Sequence, residues 1–146
     1  LLCKLQKPNL ILMKQFETTN RDLLRLYKGL EAVKTIKGAR FAVLVGKNMK
    51  ELREVLDPIE RAAIPTMEFQ ELSVAMQRLI EAEDNDAIES LEKENTELIE
   101  QRKKQLDDVE NMLDETIKVY LHPIREDQLP EEITGEQIER LLEIIE

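Results

Sequence analysis

No tryptophan occurs in this chain, and aromatic side chains make up only 3% of its 146 residues. A β-sandwich fills its core from aromatic and β-branched residues, so a fold of that kind is not expected. Cysteine is single: Cys3 has no partner for an intramolecular disulfide, which reads as a reducing compartment or an incidental thiol. Histidine is also single. His122 has neither a second histidine nor a cysteine to share a metal with, and no Ser–His–Asp order accompanies it, so a structural or surface role is expected. There is no apolar run of about 18 residues, as a membrane-spanning helix needs. The opening LLCKLQKPNLILMKQF mixes lysines among its apolar residues and lacks a small-residue cleavage pattern, unlike a secretory signal. No catalytic group stands out, so the expectation is a protein that is not an enzyme and uses neither metal nor cofactor.

What the chain does have is charge. Charged residues make up 36% of it, with a formal net charge of -10. General nucleic-acid binding needs a basic footprint and is not expected. Abundant Leu, Ile, Glu and Lys suit helices, and the length suits one compact domain over 1–146.

Hydrophobic spacing predicts where the helices run. Leu12, Phe16, Leu23, Leu26, Tyr27 and Leu30 recur at three- and four-residue steps, predicting a first helix capped by Asn9 and weakened in its middle by ETTN at 17–20. Gly29 and Gly38 should bracket the connection that follows. Phe41, Leu44, Val45, Leu52, Val55, Leu56 and Ile59 predict a second helix, kinked or divided at Pro58 and ended by Pro65. A third helix should run from Thr66 to about Glu81, with Phe69, Leu72, Met76, Leu79 and Ile80 inward. After the polar break EAEDNDAIES, seven-residue steps from Leu91 to Leu98, and from Ile99 through Leu106 to Leu113, predict a long coiled-coil-like helix over 87–117 with a register shift. Ile117, Val119 and Leu121 alternate before Pro123, predicting an extended segment near 117–124. Thr134 and Gln137 form a capping box for a small final helix whose stripe is Ile138, Leu141, Leu142 and Ile145.

The expected fold is therefore mainly α: a long antiparallel helical hairpin or bundle with one short extended segment and a small C-terminal helix. Within the single domain the pieces are an N-terminal helical pair at 9–64, a helical arm at 66–117, and the extended segment plus final helix at 118–146. Apolar surface left over on the long helix would be covered by self-association, most simply as a two-fold homodimer.

Val45-Gly46-Lys47 glances at a phosphate loop, but Gly38 lies eight residues back and Asn48, not Ser or Thr, follows the lysine. Gly46 is better read as a site of close helix packing, with Ala39 and Ala42 as its small neighbours. The stretch is notable for charge instead: between residues 34 and 53 there are six basic residues and one acid, Glu51. Lys37, Arg40, Lys47, Asn48 and Lys50 form a candidate site for an anion or a partner at a helix start. The simpler alternative pairs these cations with the acidic faces of helices three and four. Glu83, Asp84, Asp86 and Glu89 form a candidate acidic partner-binding face. EDNDAIE lacks the glycine and the spacing of a calcium loop.

Lys37, Gly38, Arg40, Phe41, Ala42, Lys47 and Asn48 match the pattern K-G-x-[KR]-F-A-x4-K-N, and Leu129, Pro130, Ile133 and Thr134 match LP-x-x-I-[TS]. With the long acidic helix between them, these segments resemble a family of small uncharacterised bacteriophage and prophage helical proteins. The resemblance covers most of the chain after about residue 9. It implies a phage origin and a place in the host bacterial cytoplasm or in the virion, and carries no activity. The function expected is binding, with a protein partner and no membrane: first an inhibitor of a host defence protein or complex. The alternatives are a neck, tail or scaffold-type component of the virion, and a sequestering protein for small anionic ligands such as cyclic nucleotides.

Overall fold

The computed structural model describes residues 13–146. The protein is mainly helical, with six α-helices among the described residues and a short two-stranded antiparallel sheet. The elements are β1 (Lys14–Thr19), α1 (Asn20–Val33), α2 (Ala39–Ala63), α3 (Met67–Glu81), α4 (Asn85–Glu94), α5 (Thr96–Asp114), β2 (Thr116–Leu121) and α6 (Gly135–Arg140). They form two compact units: residues up to Pro58 with Leu113–Glu146, and Ile59–Met112.

The first unit departs from expectation at its start. Lys14–Thr19 is a strand rather than the first half of a helix. It pairs antiparallel with β2, Phe16 opposite Val119 and Thr18 opposite Ile117. The helix-like spacing around Phe16 belongs to a strand because β-branched Thr18 and Thr19 suit the pleat, and because the partner strand lies a hundred residues away in sequence. The expected Asn9 cap lies outside the described residues. Thr19 caps α1 instead, its hydroxyl accepting from Asp22 N at 3.2 Å. The extended 117–124 segment does form a strand, with Val119 and Leu121 buried on its inner face. A two-stranded sheet is marginal alone, and this one lays that face on a core of Leu23, Leu26, Leu30, Phe41, Val45 and Leu52.

Gly29 does not mark a connection; α1 runs through it to Val33. It is a place of close approach, since a Cβ there would lie 3.1 Å from Arg140 Cβ and 3.2 Å from Arg140 O. The role expected of Gly46 therefore falls to Gly29: a Cβ on Gly46 would have nothing within 4 Å. Gly38, at φ 138, makes the turn into α2. Helix α2 passes Pro58 undivided, and its buried stripe includes Met49 as well as Phe41, Val45, Leu52 and Leu56. Beyond β2 the chain stays extended, and Ile124 makes a parallel bridge with Ile145. The capping box of Thr134 and Gln137 starts α6. That helix stops at Arg140 and tightens into a 3₁₀ turn at Leu142–Ile144. The change of pitch buries Leu141 and Ile144 and leaves Leu142 outside.

In the second unit Thr66 caps α3, accepting from Phe69 N at 3.2 Å. Arg102 and Gln105 of α5 take up the carbonyls where α2 ends: Arg102 Nη1 donates to Ala63 O at 2.8 Å, and Gln105 Nε2 to Ala62 O at 2.8 Å and Ile64 O at 2.7 Å. Arg102 also lies over the Phe69 ring, 5.6 Å from its centroid. The expected long helix is two helices, parted at Asn95, inside the Leu91–Leu98 step and short of the register shift expected after Leu98. Asn95 Nδ2 donates back to Leu91 O at 2.9 Å and Thr96 Oγ1 to Lys93 O at 3.0 Å. Side chains that bond the preceding turn in this way compete with the helix ladder. No helix among the described residues is long and apolar enough to cross a membrane.

Candidate functional site

The basic segment of the first unit does not converge. Lys37 and Arg40 are exposed at the start of α2 and line a cleft of about 450 Å³ with Arg125, Asp127, Glu131 and Glu132. Arg125 is spent on Asp127, Nε to Oδ1 at 3.1 Å. Three cations thus face three carboxylates, so an anion entering the cleft meets both signs. Lys47 and Lys50 follow Arg40 by seven and ten residues on the same helix, about 10 and 15 Å along its axis. Among the described residues Lys37, Arg40, Lys47 and Lys50 make no ion pair.

Asn48 is not a surface ligand. It is fully buried, with 0% of its surface exposed. Its amide grips the backbone beyond β2: Nδ2 donates to His122 O at 2.9 Å, and His122 N donates to Oδ1 at 2.7 Å. The amide thereby supplies the pairing a neighbouring strand would offer, and joins α2 to the end of the sheet. Burial first and the Lys47 ammonium second hold the His122 imidazole below its ordinary pKa, with Glu51 pulling the other way. The shift favours the neutral imidazole, and it is the His122 backbone that carries the joint.

In the second unit the acids at the α3–α4 turn have local duties. Glu83 sits in the left-handed region at φ 55. Asp84 caps α4, Oδ1 accepting from Ala87 N at 3.1 Å. Asp86 lies in the first turn, where the helix dipole favours a negative charge, and Glu89 pairs with Lys93 at 3.3 Å. Within EAEDND the Asp84 carboxylate thus has a structural duty at the helix start.

A different surface of this unit is more distinctive. Along α3 on one side and α4–α5 on the other runs an open groove of about 680 Å³. Leu72, Ala75, Leu91 and Leu98 form its inner wall, all buried or half-buried, and the exposed Glu68, Glu71, Glu94 and Glu97 rim it. No lysine or arginine lines it. The spacing 68, 71, 72, 75 is one face of α3, and the facing wall is shared by Leu91 and Glu94 at the end of α4, the Asn95 junction, and Glu97, Leu98 and Gln101 at the start of α5. None of these four glutamates belongs to the acidic face expected at Glu83, Asp84, Asp86 and Glu89. Their signal was the recurrence of Glu three residues from Leu or Glu on the inward stripe.

Comparison with protein-family models, with curated proteins and with solved structures finds no match.

Proposed function

We propose that the chain is a non-enzymatic, phage-encoded accessory protein that acts by binding another protein through its helical unit Ile59–Met112, and that the target is a host protein or complex of the antiviral defence kind. The observation that supports binding is the apolar surface this unit leaves in water. Among its described hydrophobic side chains only Ile59, Leu72 and Val109 are buried, while Ile64, Met67, Val74, Ile80 and Leu106 are 43% to 74% exposed. Exposed apolar side chains become an association surface where they lie together on a helical scaffold. The phage assignment rests on the resemblance carried by Lys37–Asn48 and Leu129–Thr134, which implies a place in the host cytoplasm or the virion; a host-directed role favours the cytoplasm.

The test is affinity purification of the tagged protein from infected cells, with mass spectrometry of both the eluate and purified particles. A host protein or complex enriched in the eluate, with the chain absent from particles, is the expected result. Stoichiometric recovery in particles with no host partner would transfer the same surface to the alternative, a virion or assembly component. Sequestration of small anionic ligands is the weaker alternative, because Asn48 is buried and Lys37 and Arg40 share their cleft with three carboxylates. A melting shift with a cyclic-nucleotide panel, lost in Arg40→Glu, would restore it.

A further inference from the structure

The net charge is not spread over the chain. Residues 59–112 hold fifteen acids against six bases, so about nine of the ten net negative charges fall in one unit. The groove on that unit has an apolar inner wall and a rim of Glu68, Glu71, Glu94 and Glu97 with no basic residue. Its wall on α4–α5 runs from Leu91 to Gln101 across the junction at Asn95, at most about 15 Å with each helix rising 1.5 Å per residue, the length of some three helical turns. Two helix faces that flank an apolar trough leave the place of a third helix open.

We infer that this groove receives an amphipathic basic helix of the partner protein, about three turns long, with leucine-like side chains at i, i+3, i+4 and i+7 against Leu72, Leu91 and Leu98, and lysines or arginines meeting the four glutamates. The inference rests on the proposed binding role and names the chemistry of what is bound. A second copy of the chain is a poor occupant, because a two-fold contact through the groove sets glutamate against glutamate and like charges oppose it. Attraction of a basic helix also fits the strong negative field of the unit, which steers such a segment in from solution.

The experiment uses the full chain and two synthetic peptides of about five turns. Both carry leucines at the stated spacing; one bears lysines on its flanks and the other glutamates. Binding is followed by fluorescence anisotropy, and its location by NMR of methyl-labelled leucines. The lysine peptide should bind and shift the methyls of Leu72, Leu91 and Leu98, while the glutamate peptide does not bind. Glu71→Lys with Glu94→Lys should weaken the lysine peptide at least tenfold, Glu71→Gln with Glu94→Gln should weaken it less, and Glu54→Lys in the other unit should leave it unchanged. Circular dichroism confirms that each variant remains helical. Equal binding of both peptides, insensitivity to the double variant, or methyl shifts outside the groove would overturn the inference. So would a dimer in sedimentation that the double variant abolishes, since a second copy would then fill the groove. Capture of a host partner that persists undiminished in the double variant would sink the groove alone and leave the proposed function standing. Recovery only in virions would sink the host-directed role while the peptide result stood by itself.

Discussion

Asn48→Ala is the sharpest perturbation of the fold. The side chain is fully buried, and its two hydrogen bonds to the His122 backbone are short, at 2.7 and 2.9 Å. Truncation leaves one N–H and one C=O of His122 without a protein partner. Each such group costs about 1–3 kcal/mol when buried. His122 is half-buried, so water reaches part of the site, and the sum comes to about 2–4 kcal/mol. Against a typical total of about 5–15 kcal/mol that is a large fraction. With a urea slope of about 2 kcal/mol per molar, the middle of the usual range, the midpoint falls by about 1–2 M. The two tyrosines, Tyr27 and Tyr120, both lie in the first unit and tryptophan is absent, so intrinsic fluorescence reports on that unit while circular dichroism reports on the whole chain. The fluorescence transition should move and should carry most of the effect. Lys47→Ala and Lys50→Ala, at exposed positions of the same helix, should stay within about 0.5 kcal/mol of the parent. A loss below about 0.5 kcal/mol in Asn48→Ala would refute the claim that this amide closes the sheet end.

Four further outcomes follow from named contacts. Gly46→Ala should stabilise by about 0.5–1 kcal/mol in thermal melts, because the added Cβ meets nothing and the helix gains propensity. Gly29→Val should destabilise by about 1–3 kcal/mol, because its branches would press on Arg140 and Leu141. Phe41→Ala, at 2% exposure, should cost about 3–5 kcal/mol in urea unfolding. Glu143 has its pKa raised by burial and then by Asp22, with Arg25 opposing. A raised folded pKa means the folded state holds its proton more tightly, so this contribution is complete below the unfolded value of about 4.3 and lost as pH rises through the folded one. Glu143→Gln should therefore gain stability at neutral pH and lose that advantage in acid. The opposite trend in melting temperature against pH would sink the argument.

Much of the helical layout was legible because it is local. Thr66 before α3, the Thr134–Gln137 box and Pro65 each act within a turn, and all three stand where the spacing places them. The Ile117, Val119, Leu121 alternation likewise declares β2. The misses are non-local. Phe16 is a strand residue only because Val119 lies opposite it, and no window around Phe16 contains Val119. Gly29 and Gly46 look alike in sequence; one faces Arg140, over a hundred residues on, and the other faces open space. Asn48 reads as a ligand in the basic stretch, yet the 3.6-residue repeat turns it inward beside Met49 and Leu52. The groove glutamates escaped for a further reason: on each helix singly they look like solvated face, and only the approach of α3 to α4–α5 makes them a common rim.

The two units differ in how they are held together, and that difference bears on function. The first packs fourteen buried hydrophobic residues into one core and carries a net charge of about -1. The second has three buried hydrophobic residues and most of the negative charge. Self-repulsion of that size destabilises a compact helical unit, and three buried residues offset little of it. Half-buried Phe69, Met76, Leu79, Ile88, Leu91, Leu98 and Ile99 add to its apolar packing, and polar fastenings such as Arg102 and Gln105 at the end of α2 and Asp84 at the start of α4 join them. Such a unit gains from any cation that approaches it and from any apolar surface that covers Leu72, Leu91 and Leu98. A basic amphipathic helix brings both together, so docking would stabilise Ile59–Met112 more than the first unit. The consequence distinguishes groove binding from loose charge attraction: with the lysine peptide bound, amide hydrogen exchange should slow most along the facing stripes of α3, α4 and α5. Slowing spread evenly over every acidic surface of the chain would mean that charge alone attracts the peptide and the groove does not select it.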